Sequence, residues 1–338
     1  MRVRPSRATL TGTDVALASL AREEPRFVRK MDCIAVSRVE EIPAGPEWLR
    51  EIKWGGYRVC IIKKARAVAM RTKLNLPPGA RYQHLEAALA GSALPDCVLD
   101  AELVALDDRD RPSFQLLQQS RRNHVPIVLY VFDVLHLDGH SLRGLPLQER
   151  RAALEELASQ FPDGVRLSEL LPEEVPMADV VRALDANGLE GIVVKRRNAG
   201  YLEGKQSSAW IKYRLYAVDK FVIGGYLRRD DPFFDALIVG QHQGDRLIYK
   251  EKVRFGFDDE KKRDLLARME RLATSTCPFQ NLPEKQRRGS LNAQQMREAV
   301  WVRPVLRCTV EYTEKTQSGN IRGHGRFGEL LPQESETR

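Results

Sequence analysis

The chain has 338 residues, 43% hydrophobic and 30% charged, with 54 Lys and Arg against 46 Asp and Glu for a net charge of +8. That length predicts about two domains at roughly 150 residues each, and the composition excludes disordered and collagen-like chains. No run reaches the ~18 apolar residues of a membrane helix, and the positive balance favours a polyanionic partner, nucleic acid first. The N-terminal stretch lacks the apolar core of a secretory signal, so residues 1–26 read as a mobile tail, with order beginning near Phe27 and a cytoplasmic location expected. Val98 to Leu106 reads as a strand, as does Ile127 to Leu135, whose continuous apolar run predicts burial on both faces. Leu147, Leu154, Leu157 and Phe161, after Pro146, predict one helix; Val180, Val181 and Leu184, stopped at Asn187-Gly188, predict another.

After Asp219 the texture changes. Short strands are predicted at 221–226, 235–241 and 246–256, then a helix carrying Leu265, Leu266, Met269 and Leu272, then a strand from Arg307 to Tyr312. Short strands around one helix suit a small β-barrel of the OB type, with a boundary near Ala217. Cys33, Cys60, Cys97, Cys277 and Cys308 form no CxxC pair and read as free thiols of a reducing compartment. The six histidines show no metal-ligand spacing and receive no role.

The sharpest segment is EIKWGGYR, Glu51 to Arg58. On a strand, Glu51 and Lys53 share one side, two glycines permit a tight turn and close ligand approach, and Arg58 adds a phosphate-binding fork. A lysine beside other cations loses its proton more readily and attacks phosphorus. Alone, such a lysine is most often a surface residue before a turn. Four further segments agree in type and order: LDAELV with Asp100 and Glu102, VFDV with Phe132, EGIVVK from Glu190 to Lys195, and WIKYR with Lys212 and Arg214 two residues apart on one strand face.

With these five segments in order, the sequence resembles the ATP-dependent DNA ligases of the covalent nucleotidyltransferase superfamily, matching their motifs I, III, IIIa, IV and V, and most resembles the ligase module of bacterial end-joining ligases. GPEWLREIKW, RPSFQLLQ, FVIGGY, DALIVG and CPFQNLPEK support this over about residues 27–320. The resemblance implies an α+β fold: a nucleotidyltransferase (adenylation) domain of antiparallel sheets and helices over 27–217, then an OB-fold β-barrel over 218–333. It implies sealing of 5′-phosphate/3′-hydroxyl nicks in DNA repair through a lysyl-AMP intermediate, with ATP and Mg2+ (or Mn2+) as cofactors. Carried over by motif, Lys53 is the nucleophile, Arg58 and Lys212 contact phosphate, Glu51, Lys195 and Arg214 help bind the nucleotide, and Phe132 stacks on adenine. Glu102 holds the ribose or metal, Glu190 holds metal, and Arg71 meets the nick 5′-phosphate.

Nicked double-stranded DNA is the expected partner, contacted also by Lys285, Arg287 and Arg288. End-joining factors on other chains, a monomeric state, no membrane and a bacterial nucleoid-associated location are expected as well. Three departures stand out. Gly55 replaces the aspartate of Lys-x-Asp-Gly-x-Arg, Arg214 replaces a lysine, and the tail NIRGHGRFGELLPQESETR shows no evident motif VI. The missing carboxylate is expected to slow lysine adenylylation, so Gly55→Asp is expected to raise it. Two other readings are a catalytically weakened ligase-like binder of nicks or DNA ends, and an RNA ligase or capping guanylyltransferase.

Overall fold

The computed structural model describes residues 29–36, 38–119, 125–228, 232–282, 291–315, 319–322 and 325–332. The tail at 1–26, the onset of order at Phe27, His124, His324 and the basic stretch Lys285 to Arg288 lie outside the described residues. The chain divides into two compact units, residues 1–215 and 216–338.

The first unit is built on two sheets. The strands β1 (Asp32–Val36), β2 (Trp48–Ile52), β9 (Gly191–Arg196) and β10 (Gln206–Arg214) form one, in the order β1-β10-β9-β2. The other holds β3 (Tyr57–Lys64), β4 (Ala67–Thr72), β5 (Cys97–Ala105), β6 (Ile127–Leu137) and β7 (His140–Ser141) in the order β4-β3-β5-β6-β7, with β8 (Val165–Leu167) on β6. Among the described residues, four α-helices, α1 (Gln83–Gly91), α2 (Phe114–Gln119), α3 (Leu147–Ala158) and α4 (Met177–Ala186), accompany the sheets. Pro146 and Pro176 stand just ahead of α3 and α4, where no backbone N–H is required.

The continuous apolar run of β6 is buried at every residue after Ile127, because both of its faces pack against apolar neighbours. One face of the larger sheet joins α1 and α3 in a core that includes Ile61, Leu85, Leu99, Val131 and Leu154. Its other face meets the smaller sheet around Cys60, Val98, Phe132, Tyr201 and Trp210. The outer face of the smaller sheet, Ile192, Val194, Ile211 and Tyr213, is covered by Val180, Val181 and Leu184 of α4.

The second unit contains β11 (Ala217–Leu227), β12 (Ala236–Gln243), β13 (Arg246–Val253), α5 (Asp259–Glu270), β14 (Ala273–Thr274), α6 (Ala293–Glu298), β15 (Ala299–Val302), β16 (Arg307–Tyr312), β17 (Glu314–Lys315), β18 (Ile321–Arg322) and β19 (Arg326–Leu330). The long β11 pairs with β12 on one side and β16 on the other, β13 pairs with β12, and β19 pairs with β16. A bridge from Phe255 to Arg326 brings the end of β13 back to β19, so the sheet closes on itself and leaves few open edges. This is the OB-type barrel that the strand spacing predicts. Leu265 and Met269 of α5 pack into its core beside Phe221, Val239, Val310 and Phe327. Asp258 caps α5 by accepting from Lys261 N at 2.8 Å.

Two local expectations differ from the structure. The helix predicted to reach Phe161 ends at Ala158, where Ser159 closes it and Pro162 prevents continuation; Phe161 still packs on the core. The strand predicted to carry both Glu51 and Lys53 ends at Ile52, so Lys53 is the first residue beyond it. No helix among the described residues is long and apolar enough to cross a membrane.

Candidate active site

The inner face of the smaller sheet follows from register. Glu51 on β2 lies opposite Val193 on β9, which lies opposite Lys212 on β10; one step along, Leu49, Lys195 and Trp210 form a second row. Alternation places Ile192, Val194 and Ile211 on the apolar outer face and leaves Glu51, Val193, Lys195 and Lys212 facing the larger sheet. From that sheet, Arg58 on β3 lies opposite Glu102 on β5, and β6 supplies Phe132. Between the two sheets is a cavity of about 120 Å3 whose lining includes Glu51, Lys53, Arg58, Glu102, Phe132, Lys195 and Lys212, with Cys33, Trp54 and Trp210 beside them.

Lys53 sits at its mouth. Its backbone N donates to Gly191 O at 2.9 Å; its side chain is 12% exposed, and the amine lies 2.5 Å from Glu190 Oε1. Arg214 Nε reaches the same oxygen at 3.1 Å. Burial pushes the Lys53 amine below the ordinary lysine value, against the pull of Glu190, which makes it a readier nucleophile than a solvated lysine. Burial also raises the Glu102 carboxyl to about 7, although Lys53 and Arg58 favour its ionised form.

Two other cations of the cavity are committed to partners. Lys195, 2% exposed, donates to Glu51 Oε1 at 2.6 Å and lies 4.5 Å from the Phe132 ring centre. Arg58 closes its fork on Asp100, Nε to Oδ1 at 3.0 Å and NH2 to Oδ2 at 2.6 Å, while NH1 donates to Met31 O at 2.6 Å. The expected phosphate contact of Arg58 is therefore narrowed, because most of its donors are already used. Lys212 differs: among the described residues it has no hydrogen-bond or ion-pair partner, and it faces the cavity.

The structure thus brings Glu51, Lys53, Arg58, Glu102, Phe132, Lys195 and Lys212 to one cavity, with Glu190 and Arg214 at the Lys53 amine. Arg71 is not among the lining residues; it ends near the tip of the edge strand β4, with NH1 donating to Met70 O at 3.0 Å. Among the described residues no group of three His, Cys, Asp or Glu side chains gathers as a metal cage. None of the five cysteines is in a disulfide.

Sequence reasoning missed the residues that hold the site rigid. Trp54 stacks on Tyr130 with ring centres 3.5 Å apart and planes 8° from parallel. Its Nε1 donates to Ser168 Oγ at 3.0 Å, and Ser168 Oγ donates in turn to Glu51 Oε2 at 3.3 Å. These contacts stiffen the segment around Gly55 and Gly56. Gly56 is itself a close approach: a Cβ there would stand 2.1 Å from Leu103 O. Tyr201 donates to Asp100 Oδ2 at 2.8 Å, and Lys30 donates to the carbonyls of Arg58 and Arg71 at 2.7 and 3.1 Å. Only a tryptophan beside the lysine hinted at any of this; the hydrogen-bonded partners lie from 28 to 117 residues apart in sequence.

A second hollow, of about 430 Å3, lies on the barrel and is lined by Lys220, His242 and Arg307 among others, with no carboxylate among its lining residues. It offers no nucleophile paired to an acid or base.

Residues 17–214 match the ATP dependent DNA ligase domain, and residues 230–331 match the ATP dependent DNA ligase C terminal region. The multifunctional non-homologous end joining protein LigD of Pseudomonas aeruginosa is 35% identical over 294 residues, which cover 85% of this chain and 34% of that protein. The protein of the same name from Mycolicibacterium smegmatis is 31% identical over 280 residues, 82% of this chain and 35% of that protein. The chain therefore spans about a third of the length of these curated relatives. Among solved structures, mycobacterial DNA ligase D complexed with ATP and MES aligns with a TM-score of 0.52 at 28% identity, covering 91% of this chain and 96% of that one. A Lig E DNA ligase aligns at 0.55 with 14% identity over 90% of this chain and 100% of that one, a likeness of fold alone.

Proposed function

The chain belongs to the ATP-dependent DNA ligase family, and from that premise we propose that it seals nicks in duplex DNA through a lysyl-AMP intermediate on Lys53. The domain carrying the chemistry is residues 27–217, with the OB domain at 218–333. The observation that carries the reading is a partly buried lysine amine at the mouth of a cavity whose one uncommitted cation, among the described residues, is Lys212.

The Lys53 nitrogen forms a bond to the α-phosphorus of ATP as the α–β phosphoanhydride bond breaks and pyrophosphate leaves. The adenylyl group then moves to the 5′-phosphate of the nick, and the 3′-hydroxyl displaces AMP to form the phosphodiester. Charge concentrates on the phosphoryl oxygens at each transfer, so the protein's contribution is placed cations and alignment. Lys212 is free to take that charge without first breaking an ion pair. Lys195, held by Glu51 beside the Phe132 ring, and Arg58, held by Asp100, fix the walls against which a base and ribose rest. Arg71 is the proposed contact for the 5′-phosphate.

The donor set fits a magnesium or manganese ion. Two carboxylates, Glu102 and Glu190, flank Lys53, and a hard cation that keeps several waters needs no more from the protein than one or two carboxylates and the substrate phosphates. Bound there, the ion would neutralise phosphate charge. Ionised Glu102 and the Glu190 oxygen that does not hold Lys53 would hold it.

The relatives' names place them in end joining, and we extend that role to this chain, with DNA ends as substrate. A nick binder without catalysis is the weaker reading, since the nucleophile and its cation remain assembled despite Gly55. The test is single-turnover closure of two substrates, an ordinary nick with ATP and a pre-adenylated nick without it. Wild type closes both, and Lys53→Ala closes only the second. Closure of the ordinary nick by Lys53→Ala would refute the assignment.

A further inference from the structure

The Gly55 position, where the family motif carries an aspartate, is not empty. Glu190 reaches into it. Its Oε2 lies 2.8 Å from where a Cβ on Gly55 would stand, and its Cδ lies 3.7 Å away. The other oxygen, Oε1, holds the Lys53 amine at 2.5 Å and Arg214 Nε at 3.1 Å. We propose that Glu190 stands in for the missing side chain: Gly55 is bare so that the Glu190 carboxylate, from the residue just ahead of β9, can enter and position the Lys53 amine. The proposal rests on Lys53 being the nucleophile and deepens that reading.

Glu190 cannot retreat by moving its backbone. Its carbonyl accepts from Leu215 N at 2.9 Å, and the next carbonyl, Gly191 O, accepts from Lys53 N at 2.9 Å. A side chain at position 55 therefore displaces only the end of Glu190, which is the part that grips Lys53. An aspartate adds like-charge repulsion to the steric conflict, since its carboxylate would lie beside that of Glu190. Gly55→Asp is thus a loss, the reverse of what the motif alone predicts. The family-like carboxylate and the Glu190 placement seen here are alternatives, not complements.

The test uses the full chain without nucleotide or metal. Pyridoxal 5′-phosphate followed by borohydride marks accessible lysine amines, and peptide mass spectrometry reads Lys53, with Lys212 as an internal reference. Gly55→Ala and Glu190→Ala are each expected to raise Lys53 modification roughly threefold or more. The double variant rises no further than the larger single, because both changes remove the same contact. Unchanged Lys53 modification in Gly55→Ala, or effects that multiply in the double, overturns the proposal. If Gly55→Ala unfolds the chain, adding Glu190→Ala restores the wild-type melting temperature, and failure to restore it also overturns the proposal. In the presence of α-labelled ATP and magnesium, Gly55→Asp lowers Lys53 labelling about tenfold or more; a rise refutes the stand-in role. A wild-type chain that takes no label refutes the ligase reading but leaves the modification cycle to decide this one.

Discussion

Asp100→Ala tests how the cavity wall is held. The Asp100 side chain is fully buried, and its carboxylate takes two hydrogen bonds from Arg58, at 3.0 and 2.6 Å, and one from Tyr201 at 2.8 Å. Removing it leaves an arginine side chain that is only 19% exposed without its counter-charge, and a buried pair broken on one side costs ~3–5 kcal/mol. For a unit of this size, each kcal/mol moves the melting temperature by about 2–4 °C, so the expected drop is roughly 6–20 °C. Asp100→Asn keeps the shape and loses the charge, at about 1.5–3 kcal/mol for the weakened hydrogen bonds.

The pH dependence has a definite sign. Burial opposes ionisation of Asp100, but the Arg58 guanidinium outweighs it and holds the carboxyl below its usual 3.8. The pair's contribution is therefore fully present above that value and is lost as pH falls through the lower folded value. Urea unfolding followed by tryptophan fluorescence is the assay. Trp48, Trp54 and Trp210 lie in residues 1–215, so three of the four tryptophans report on this unit. The midpoint should fall with the slope unchanged. An Asp100→Ala chain within about 1 kcal/mol of wild type would refute the argument.

Lys212→Met should leave the urea midpoint within about 0.5 kcal/mol while slowing ATP-dependent labelling by roughly 10²-fold or more; a large stability loss with unchanged labelling would reverse the assignment. Glu102, raised to about 7 by burial, must lose its proton to hold a cation, so labelling at fixed magnesium should rise with pH through that value. More magnesium should move the midpoint to lower pH, and a midpoint indifferent to the metal would exclude Glu102 as the titrating ligand. Binding to a nicked duplex should weaken steeply with salt, and Arg71→Ala should erase the preference for a nick bearing a 5′-phosphate without altering lysine labelling.

The local patterns were legible where one physical rule dominated. The apolar run of β6, the start of α3 after Pro146, the stop of α4 at Asn187-Gly188, and the strand spacing of the barrel each follow from periodicity and backbone chemistry. The motif residues also reached one cavity, because alternation on β2, β9 and β10 fixes which side chains face inward. What the sequence did not show was pairing across long separations. Arg58 reads as a phosphate fork until Asp100 is seen to fill it. Gly55 reads as a missing carboxylate until Glu190 is seen beside it. Phe161 keeps the helical spacing yet lies past the helix end, since an apolar residue packs as well from a turn as from a helix.

The central claim is that Lys53 carries AMP. Incubation with α-labelled ATP and magnesium, followed by peptide mapping, tests it most directly. The account predicts one acid-labile phosphoramidate on Lys53, abolished in Lys53→Ala. A label that persists unchanged in Lys53→Ala, or that maps to another lysine, contradicts it.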